Sequence, residues 1–188
     1  MLFRSDQRRW AVCKAGNEWV DGNYSLIINE ANVGAYLCIG GGRANSHELM
    51  STTDPLVLDQ WTPVALTYDG RALRVYCNGE QVASADLNQP RTLSGAPLSL
   101  GGRQDRYSFF EGDLDEVCLY DRALSAEEIR QQVHAVRSAA AGGQAAPRVD
   151  GLVAHWGFDD LVVDQEAMDR VIESAGLEPP YRHLLEER

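Results

Sequence analysis

The sequence lacks the features that define several large protein classes. No apolar run approaches the ~20 residues that cross a bilayer as a helix, and the N-terminal stretch MLFRSDQRRWAV has no apolar core like that of a signal peptide. It also contains no phosphate-binding loop, dinucleotide fingerprint or nucleophile elbow. We therefore expect no membrane insertion and no nucleotide chemistry. The cellular compartment stays open.

Basic residues are scarce relative to acidic ones. The chain has 17 Lys and Arg against 28 Asp and Glu, a formal charge of −11. A field of this sign repels nucleic-acid backbones and anionic membranes at long range. We expect neither as a partner, whereas cations and neutral sugars are compatible with the charge.

Cysteine is also sparse, and its spacing does not favour a metal site. The four cysteines contain no C-x-x-C pair, which argues against zinc. Cys13, Cys38, Cys77 and Cys118 each lie in an apolar or alternating run, which indicates reduced residues in the core or on a sheet face. Disulfide pairing is the alternative that the sequence leaves open.

What the sequence does have is a series of short β-type runs between residues 9 and 120. Asp69-Gly70 and Asn78-Gly79 lie between alternating apolar runs, as tight hairpins require. With 44% hydrophobic residues and almost no helix between the runs, this pattern predicts an antiparallel sandwich or barrel. The predicted strands cover 24–28, 35–40, 63–69, 73–78, 81–87, 97–102 and 113–121.

The last third of the chain changes character. Ser125 and Glu128 form a capping box that predicts a helix, with Ile129, Val133 and Val136 on its buried face. We divide the chain into a β-sandwich with its closing helix (1–136), a small-residue linker (137–150), a strand (151–160) and a helical tail (161–188). The strand GLVAHWGFDD would bury Trp156 and Phe158 on one face.

Three motifs resemble those of laminin G-like jelly rolls. They are Trp61 with the VALTYDG hairpin, the YCNGE hairpin, and GDLDEVCLYDRALS before the helix. This family shares the concanavalin A-like lectin and glucanase fold, with pentraxins as relatives. The resemblance covers about residues 10–135 and implies an all-β, antiparallel two-sheet jelly roll. Members of the family are mostly extracellular.

In the family, a segment resembling 151–160 opens the domain and lies beside the strand corresponding to 113–120. Its late position here implies a circular permutation, a sandwich completed by a C-terminal strand, or the opening of another repeat. That strand would pair within its own chain or with a neighbour, as in a homo-oligomer or strand-swapped dimer.

One fold hosts many functions, so the site must decide. We expect a non-catalytic binding module for a carbohydrate or protein ligand. The first alternative is a structural protein that joins protomers through its C-terminal strand and tail. The second is a glycoside hydrolase of the same fold.

For sugar binding, the candidate residues lie in two polar loops. Trp19 in AGNEWVDGN and Tyr107 in RQDRYSFF are the aromatic residues least consistent with a core position. Asn23 would fix sugar hydroxyls beside them. The alternative is that either ring packs over the edge of the sandwich and binds no ligand.

The pentraxin resemblance also implies a calcium site in the same loops. It would use Asp21 and Asn23 from one loop and Gln104 and Asp105 from the other. Arg103 stands where the family has a glutamate, and its positive charge opposes the ion. We therefore predict no definite cofactor and treat calcium binding as a hypothesis to test.

The hydrolase alternative rests on the acidic run EGDLDE. Glu111, Asp113 and Glu116 resemble the catalytic E-x-D-x-x-E of laminarinase-like enzymes, in which paired carboxyls act as nucleophile and acid. Gly112 replaces the aliphatic residue of that motif, and no Trp-rich cleft segment precedes it. We expect these acids to have structural roles and the protein not to be an enzyme.

Overall fold

The computed structural model describes residues 8–57, 59–105, 108–140 and 149–158, and the side chains of residues 139 and 140 are not described. The predicted helical tail and Tyr107 lie outside these ranges. Ten strands, one α-helix (α1) and one 3-10 helix (Gly42–Asn45) form within them. The strands are β1 Arg9–Lys14, β2 Tyr24–Asn29, β3 Asn32–Cys38, β4 Ser46–Met50, β5 Val64–Tyr68, β6 Ala72–Cys77, β7 Glu80–Asp86, β8 Leu98–Leu100, β9 Val117–Tyr120 and β10 Leu152–Trp156; α1 spans Ala126–Ala140.

Two antiparallel sheets carry the core, which confirms the predicted fold class. The larger has the order β4-β3-β2-β1-β8, and the smaller has the order β5-β6-β7. Alternate residues of β3 and β6 face each other across the interior, among them Val33, Leu37, Leu73 and Val75, each at most 1% exposed. No helix in the described residues is long and apolar enough to cross a membrane.

Both predicted tight turns form because their residues suit the backbone. Gly70 has a φ of +85°, and one Asp69 carboxylate oxygen accepts the backbone N–H groups of Arg71 and Ala72 at 2.8 Å each. At the next turn, Asn78 and Gly79 have φ values of +55° and +87°, as the I′ hairpin requires.

The five-stranded sheet also buries residues on its outer face. Trp10, Cys13, Ile27 and Tyr36 form a second apolar cluster there, each at most 6% exposed. Six of the seven residues of β3 are buried, so this strand is covered on both sides. Segments outside the sheet must therefore cover the outer face, and they build the site described below.

β9 and β10 form a separate two-stranded sheet. The backbone N–H of Asp121 donates to the carbonyl of Gly151 at 2.9 Å, and Nε2 of His155 lies 2.9 Å from a carboxylate oxygen of Glu116. These two contacts run in opposite directions along the strands, so the pairing is antiparallel. It occurs within one chain.

Two details of this region differ from expectation. β9 begins at Val117 and not at residue 113, because Glu116 adopts a left-handed φ of +50° that strand geometry does not allow. Phe158 lies beyond the end of β10 and is 37% exposed, so the predicted aromatic face is shorter than expected.

The predicted capping box of α1 is confirmed. The Ser125 N–H donates to the Glu128 carboxylate at 2.8 Å, and the Glu128 N–H donates to Oγ of Ser125 at 3.2 Å. Hydrogen bonding to Arg122, followed by Ser125, lowers the pKa of Glu128 to about 2. The buried face is rotated from the prediction, since Ile129 and Ala135 are buried while Val136 is 39% exposed.

The four cysteines are free thiols, in agreement with the reduced interpretation. Cys13, Cys38 and Cys77 are buried, and Cys118 is exposed. Burial raises the pKa of Cys13 and of Cys77, which keeps both as thiols at neutral pH.

Candidate functional site

A cavity of about 280 Å³ opens on the outer face of the five-stranded sheet. Its floor comes from β3 and β4, and its walls come from the loops before β2 and after β3. Most of its side chains carry polar or charged groups, and one is a tryptophan. The lining residues are Arg8, Glu18, Trp19, Tyr36, Arg43, Ser46 and Glu48.

Tyr36 in the floor of the cavity belongs to a stacked pair of aromatic rings, and an arginine contacts each ring. The rings of Tyr36 and Trp10 are nearly parallel, with centroids 6.2 Å apart and an interplanar angle of 5°. Arg8 lies over Tyr36 at 5.7 Å, and Arg103 lies over Trp10 at 5.0 Å. Each ring therefore has a cation–π contact in addition to its aromatic neighbour.

Glu48 lies at one side of this floor and contacts Tyr36 on β3 and Arg8, which precedes β1. It accepts the Tyr36 hydroxyl at 2.9 Å and pairs with Arg8 at 2.9 Å. Burial, followed by the hydrogen bond to this carboxylate, raises the pKa of Tyr36 well above its ordinary value. The phenol therefore stays protonated and remains a donor to Glu48.

The loop that carries Trp19 is held by several hydrogen bonds. The backbone N–H of Trp19 donates to Oδ1 of Asn17 at 2.9 Å, and Oγ of Ser46 donates to the carbonyl of Glu18 at 2.6 Å. The Glu18 carboxylate pairs with Arg103 at 2.8 Å, and both of these side chains are largely buried. Trp19 itself is 45% exposed, so an accessible ring stands on a fixed loop.

Arg43 forms the opposite wall, from the 3-10 helix after β3. Its guanidinium carbon lies 4.7 Å from the centre of the Trp19 ring. Asp21 positions this helix by accepting the Gly42 N–H at 2.8 Å. The backbone N–H groups of Gly42 and Gly41 lower the pKa of Asp21, so the carboxylate stays charged in this capping role.

Asn23, predicted to contact a sugar and a metal, is instead a structural residue. It is 0% exposed, its amide donates to the carbonyl of Lys14 at 2.5 Å, and its oxygen accepts the Ser25 hydroxyl at 3.1 Å. At the start of β2 its side chain points into the sheet's outer cluster and not toward solvent. Of the two predicted sugar-binding residues that the structure describes, Trp19 lines the cavity and Asn23 does not.

The predicted calcium ligands do not fit a cation site. Asp21 caps the 3-10 helix, Asn23 is buried, and the Gln104 amide donates to the carbonyl of Pro97 at 2.5 Å. Asp105 pairs with Arg103 at 2.5 Å, so a fixed positive charge already neutralises this carboxylate. Within the described ranges, no group of three or more His, Cys, Asp and Glu side chains could hold a metal.

We therefore expect calcium to leave stability unchanged. A cation that binds only the folded state must raise the thermal midpoint, and millimolar calcium chloride should shift it by less than about 1 °C. Chelation with EDTA should have as small an effect. Thermal unfolding followed by circular dichroism checks this, and a rise of several degrees with calcium but not with magnesium would contradict it.

The three acids of the hydrolase alternative do not share one strand face. Residues 111–116 precede β9 and have no strand structure. Glu111 pairs with Arg9 at 3.1 Å, and Glu116 contacts His155 from the paired strand. Asp113 is exposed in the same irregular segment. The arrangement that would place two carboxyls together on one strand is therefore missing from this segment.

Sequence reasoning missed most of the cavity. It did not predict β4, although Ser46 and Glu48 alternate with His47 and Leu49 in the SHELM stretch. This period-2 pattern is weak because serine and glutamate on the sheet's outer face look like surface residues. Only the pairing of β4 with β3 places Glu48 opposite Tyr36.

Comparison with known proteins agrees with this architecture. A laminin G family model, described as the concanavalin A-like lectin/glucanases superfamily, matches residues 3–130. Mouse Pappalysin-1 is 35% identical over 75 residues, which cover 37% of this chain and 5% of that protein. The chain thus spans a small fraction of this curated relative.

Two solved structures share the fold. The carbohydrate-binding module CBM40 of the Ruminococcus gnavus IT-sialidase has a TM-score of 0.51 at 20% identity, covering 68% of this chain and 74% of that one. A candidate carbohydrate-binding protein from Bacteroides ovatus has a TM-score of 0.55 at 21% identity, covering 85% and 47%. Because the family model spans well over half of the residues, the chain belongs to the laminin G-like branch of the concanavalin A-like lectin/glucanases superfamily.

Proposed function

We propose that this protein is a non-catalytic glycan-binding module whose site is the cavity beside Trp19. The observation that carries the proposal is an accessible tryptophan on a fixed loop, next to paired polar groups in a concave site. At about 280 Å³, the cavity is just below the usual range of ligand pockets, roughly 300–1,000 Å³. This volume suits one or two sugar residues.

The chemistry of the lining matches that of a sugar. A sugar ring presents a C–H face that packs on an aromatic ring, and hydroxyls around its edge that both donate and accept hydrogen bonds. Trp19 offers the ring, Glu48 and Ser46 offer acceptors, and Arg8 offers further donors. Because these groups are already held by their neighbours, little side-chain entropy is lost on binding.

Structural neighbours support the same proposal. The R. gnavus module has also been solved with α2,3 sialyllactose bound, and its TM-score with this chain is 0.50. A protein ligand in the same cavity is the remaining alternative, and glycan competition separates the two. Calcium assistance has no support from the described residues of the two loops.

The assembly alternative depended on an open β9 edge and on the C-terminal tail, and the tail lies outside the described residues. In the structure, β10 of the same chain pairs with that edge. No second protomer is needed to fill it, so this pairing favours a binding module over a protein that joins copies through the strand.

The test is a glycan array followed by calorimetry with the best glycan. Replacing Trp19 with alanine should weaken binding at least tenfold, about 1.4 kcal/mol, because the stacking surface is lost. Trp61→Ala is the matched control, since Trp61 is 69% exposed and does not line the cavity. Binding should be unchanged in that variant, and thermal midpoints should be similar in both.

Two results would contradict the proposal. One is the absence of binding to every glycan on a broad array by the unmodified protein. The other is an equal loss of affinity in the Trp61 variant, which would place the ligand elsewhere.

A further inference from the structure

Arg43 has a different environment from the other charged residues of the cavity. Arg8 pairs with Glu48, and Glu18 pairs with Arg103. Within the described parts of the chain, the Arg43 side chain contacts the Trp19 ring and makes no ion pair or hydrogen bond. The cavity therefore has carboxylates that are already paired and one cation that is not.

The donors of Arg43 remain available to a ligand. A guanidinium carries five N–H donors in a planar fork, and a cation–π contact with a ring consumes none of them. The contact instead restricts where the fork can be, because the Trp19 ring lies 4.7 Å away on a fixed loop. A preorganised, unpaired fork matches the two oxygens of a carboxylate or sulfate better than a single hydroxyl.

The position of Arg43 also bears on how a sugar can use Trp19. The guanidinium covers part of the ring that a neutral sugar would need for stacking. A neutral ligand must displace this arginine or use the remaining surface. A sugar with an anionic group can leave the arginine in place and pair with it.

From these contacts we infer that the cavity selects sugars that carry an anionic group, a carboxylate or a sulfate, and that Arg43 is the residue that recognises this group. The inference rests on the proposed function. The net charge of −11 does not oppose it, because screening limits the long-range field to about 10 Å at ordinary salt. Close to Arg43, the contact between the guanidinium and the anionic group determines whether the ligand is attracted.

The experiment compares three ligands on one backbone: lactose, 3′-sulfolactose and 3′-sialyllactose. We expect the sulfated or the carboxylated ligand to bind about tenfold tighter than lactose, as a charge-assisted fork contact provides. That preference should shrink at high salt, while lactose binding should not change. The two anionic arms show whether sulfate or carboxylate is preferred.

Substitution of Arg43 assigns the preference to its residue. Arg43→Gln should remove the preference for the anionic ligands over lactose, because the fork that pairs with the anionic group is lost. Arg43→Lys should keep part of the preference, since a point charge replaces the fork. Arg71→Gln is the matched control, because Arg71 is an exposed arginine in the β5–β6 turn and does not line the cavity.

The outcomes separate this inference from the proposed function. Equal binding of neutral and anionic ligands, or an unchanged preference in Arg43→Gln, overturns the inference and leaves glycan binding intact. A failure of the unmodified protein to bind any array glycan overturns both. A preference that follows Arg43 supports both.

Discussion

Replacing Gly22 with alanine should lower the free energy of unfolding by at least about 3 kcal/mol. Gly22 has a φ of +75°, where an L-residue is strained. Its added Cβ would also lie 2.6 Å from the carbonyl oxygen of Thr92 and 2.7 Å from the nitrogen of Ser94. Both are backbone atoms, so relief requires moving the segment that Gly22 packs against.

The same contacts show why this change should also disturb the cavity. The Gly22 N–H donates to the carbonyl of Cys38 at 3.0 Å, and its own carbonyl accepts from Arg91 at 3.1 Å. Gly22 thus anchors the end of the loop that carries Trp19. A shift of this anchor should weaken glycan binding as well as stability.

Gly70→Ala is the matched control for the strain at Gly22. Gly70 has a similar φ of +85°, but an added Cβ meets nothing within 4 Å. It should cost only the conformational penalty, about 1–2 kcal/mol. Urea unfolding of both variants measures the difference, and equal losses would show that the 92–94 segment moves away at little cost.

The second large effect is expected at Arg103. Replacing it with methionine should destabilise the protein by about 3–5 kcal/mol, because it leaves a largely buried carboxylate without its partner. Its side chain is 9% exposed and lies 2.8 Å from Glu18, whose side chain is 13% exposed. It also donates to the carbonyl of Gly16 at 3.1 Å and covers Trp10.

Arg103 connects stability to the cavity through Glu18. Without the ion pair, the Glu18–Trp19 segment loses one of its fixing contacts, so glycan affinity should fall together with stability. Adding Glu18→Gln should restore part of the lost stability, since no buried charge is then left unpaired. This recovery would separate the ion pair from simple loss of packing.

An exposed ion pair supplies the comparison. Arg130 is 49% exposed and pairs with Glu127 at 2.6 Å, so Arg130→Met should cost less than about 1 kcal/mol. If Arg103→Met and Arg130→Met lower the free energy of unfolding equally in chemical unfolding, burial of the Arg103 pair adds no stability.

Features that depend on neighbours in the chain were predictable. The Asp69-Gly70 turn and the Ser125–Glu128 capping box each close within four residues, so residue type and spacing suffice to specify them. Most strands of both sheets followed from alternation, with errors at their ends, but β1 and β4 were not predicted. Trp19 was identified because a tryptophan in a polar loop has no obvious core to enter.

Features that depend on sheet pairing were not predictable in the same way. Asn23 and Asp21 look alike as loop polar residues, yet Asn23 is fully buried and Asp21 caps the 3-10 helix. The sequence predicted that the acidic run before β9 is part of the strand, but the left-handed φ of Glu116 interrupts strand geometry there. For Asn23 and Asp21 the deciding contact is made with a residue from another segment.

The sequence alone predicted an antiparallel β-sandwich or barrel, since short alternating runs and tight turns leave few other ways to bury its apolar residues, and its motifs resembled those of the laminin G family. Only the tertiary structure decided where a ligand would bind. The cavity joins Arg8, Trp19, Arg43 and Glu48, and these come from four segments that meet across paired strands. The distances and ion pairs of these residues arise from the pairing of the strands. No local sequence pattern shows that, among the described residues, Arg8 is paired with a carboxylate and Arg43 is not.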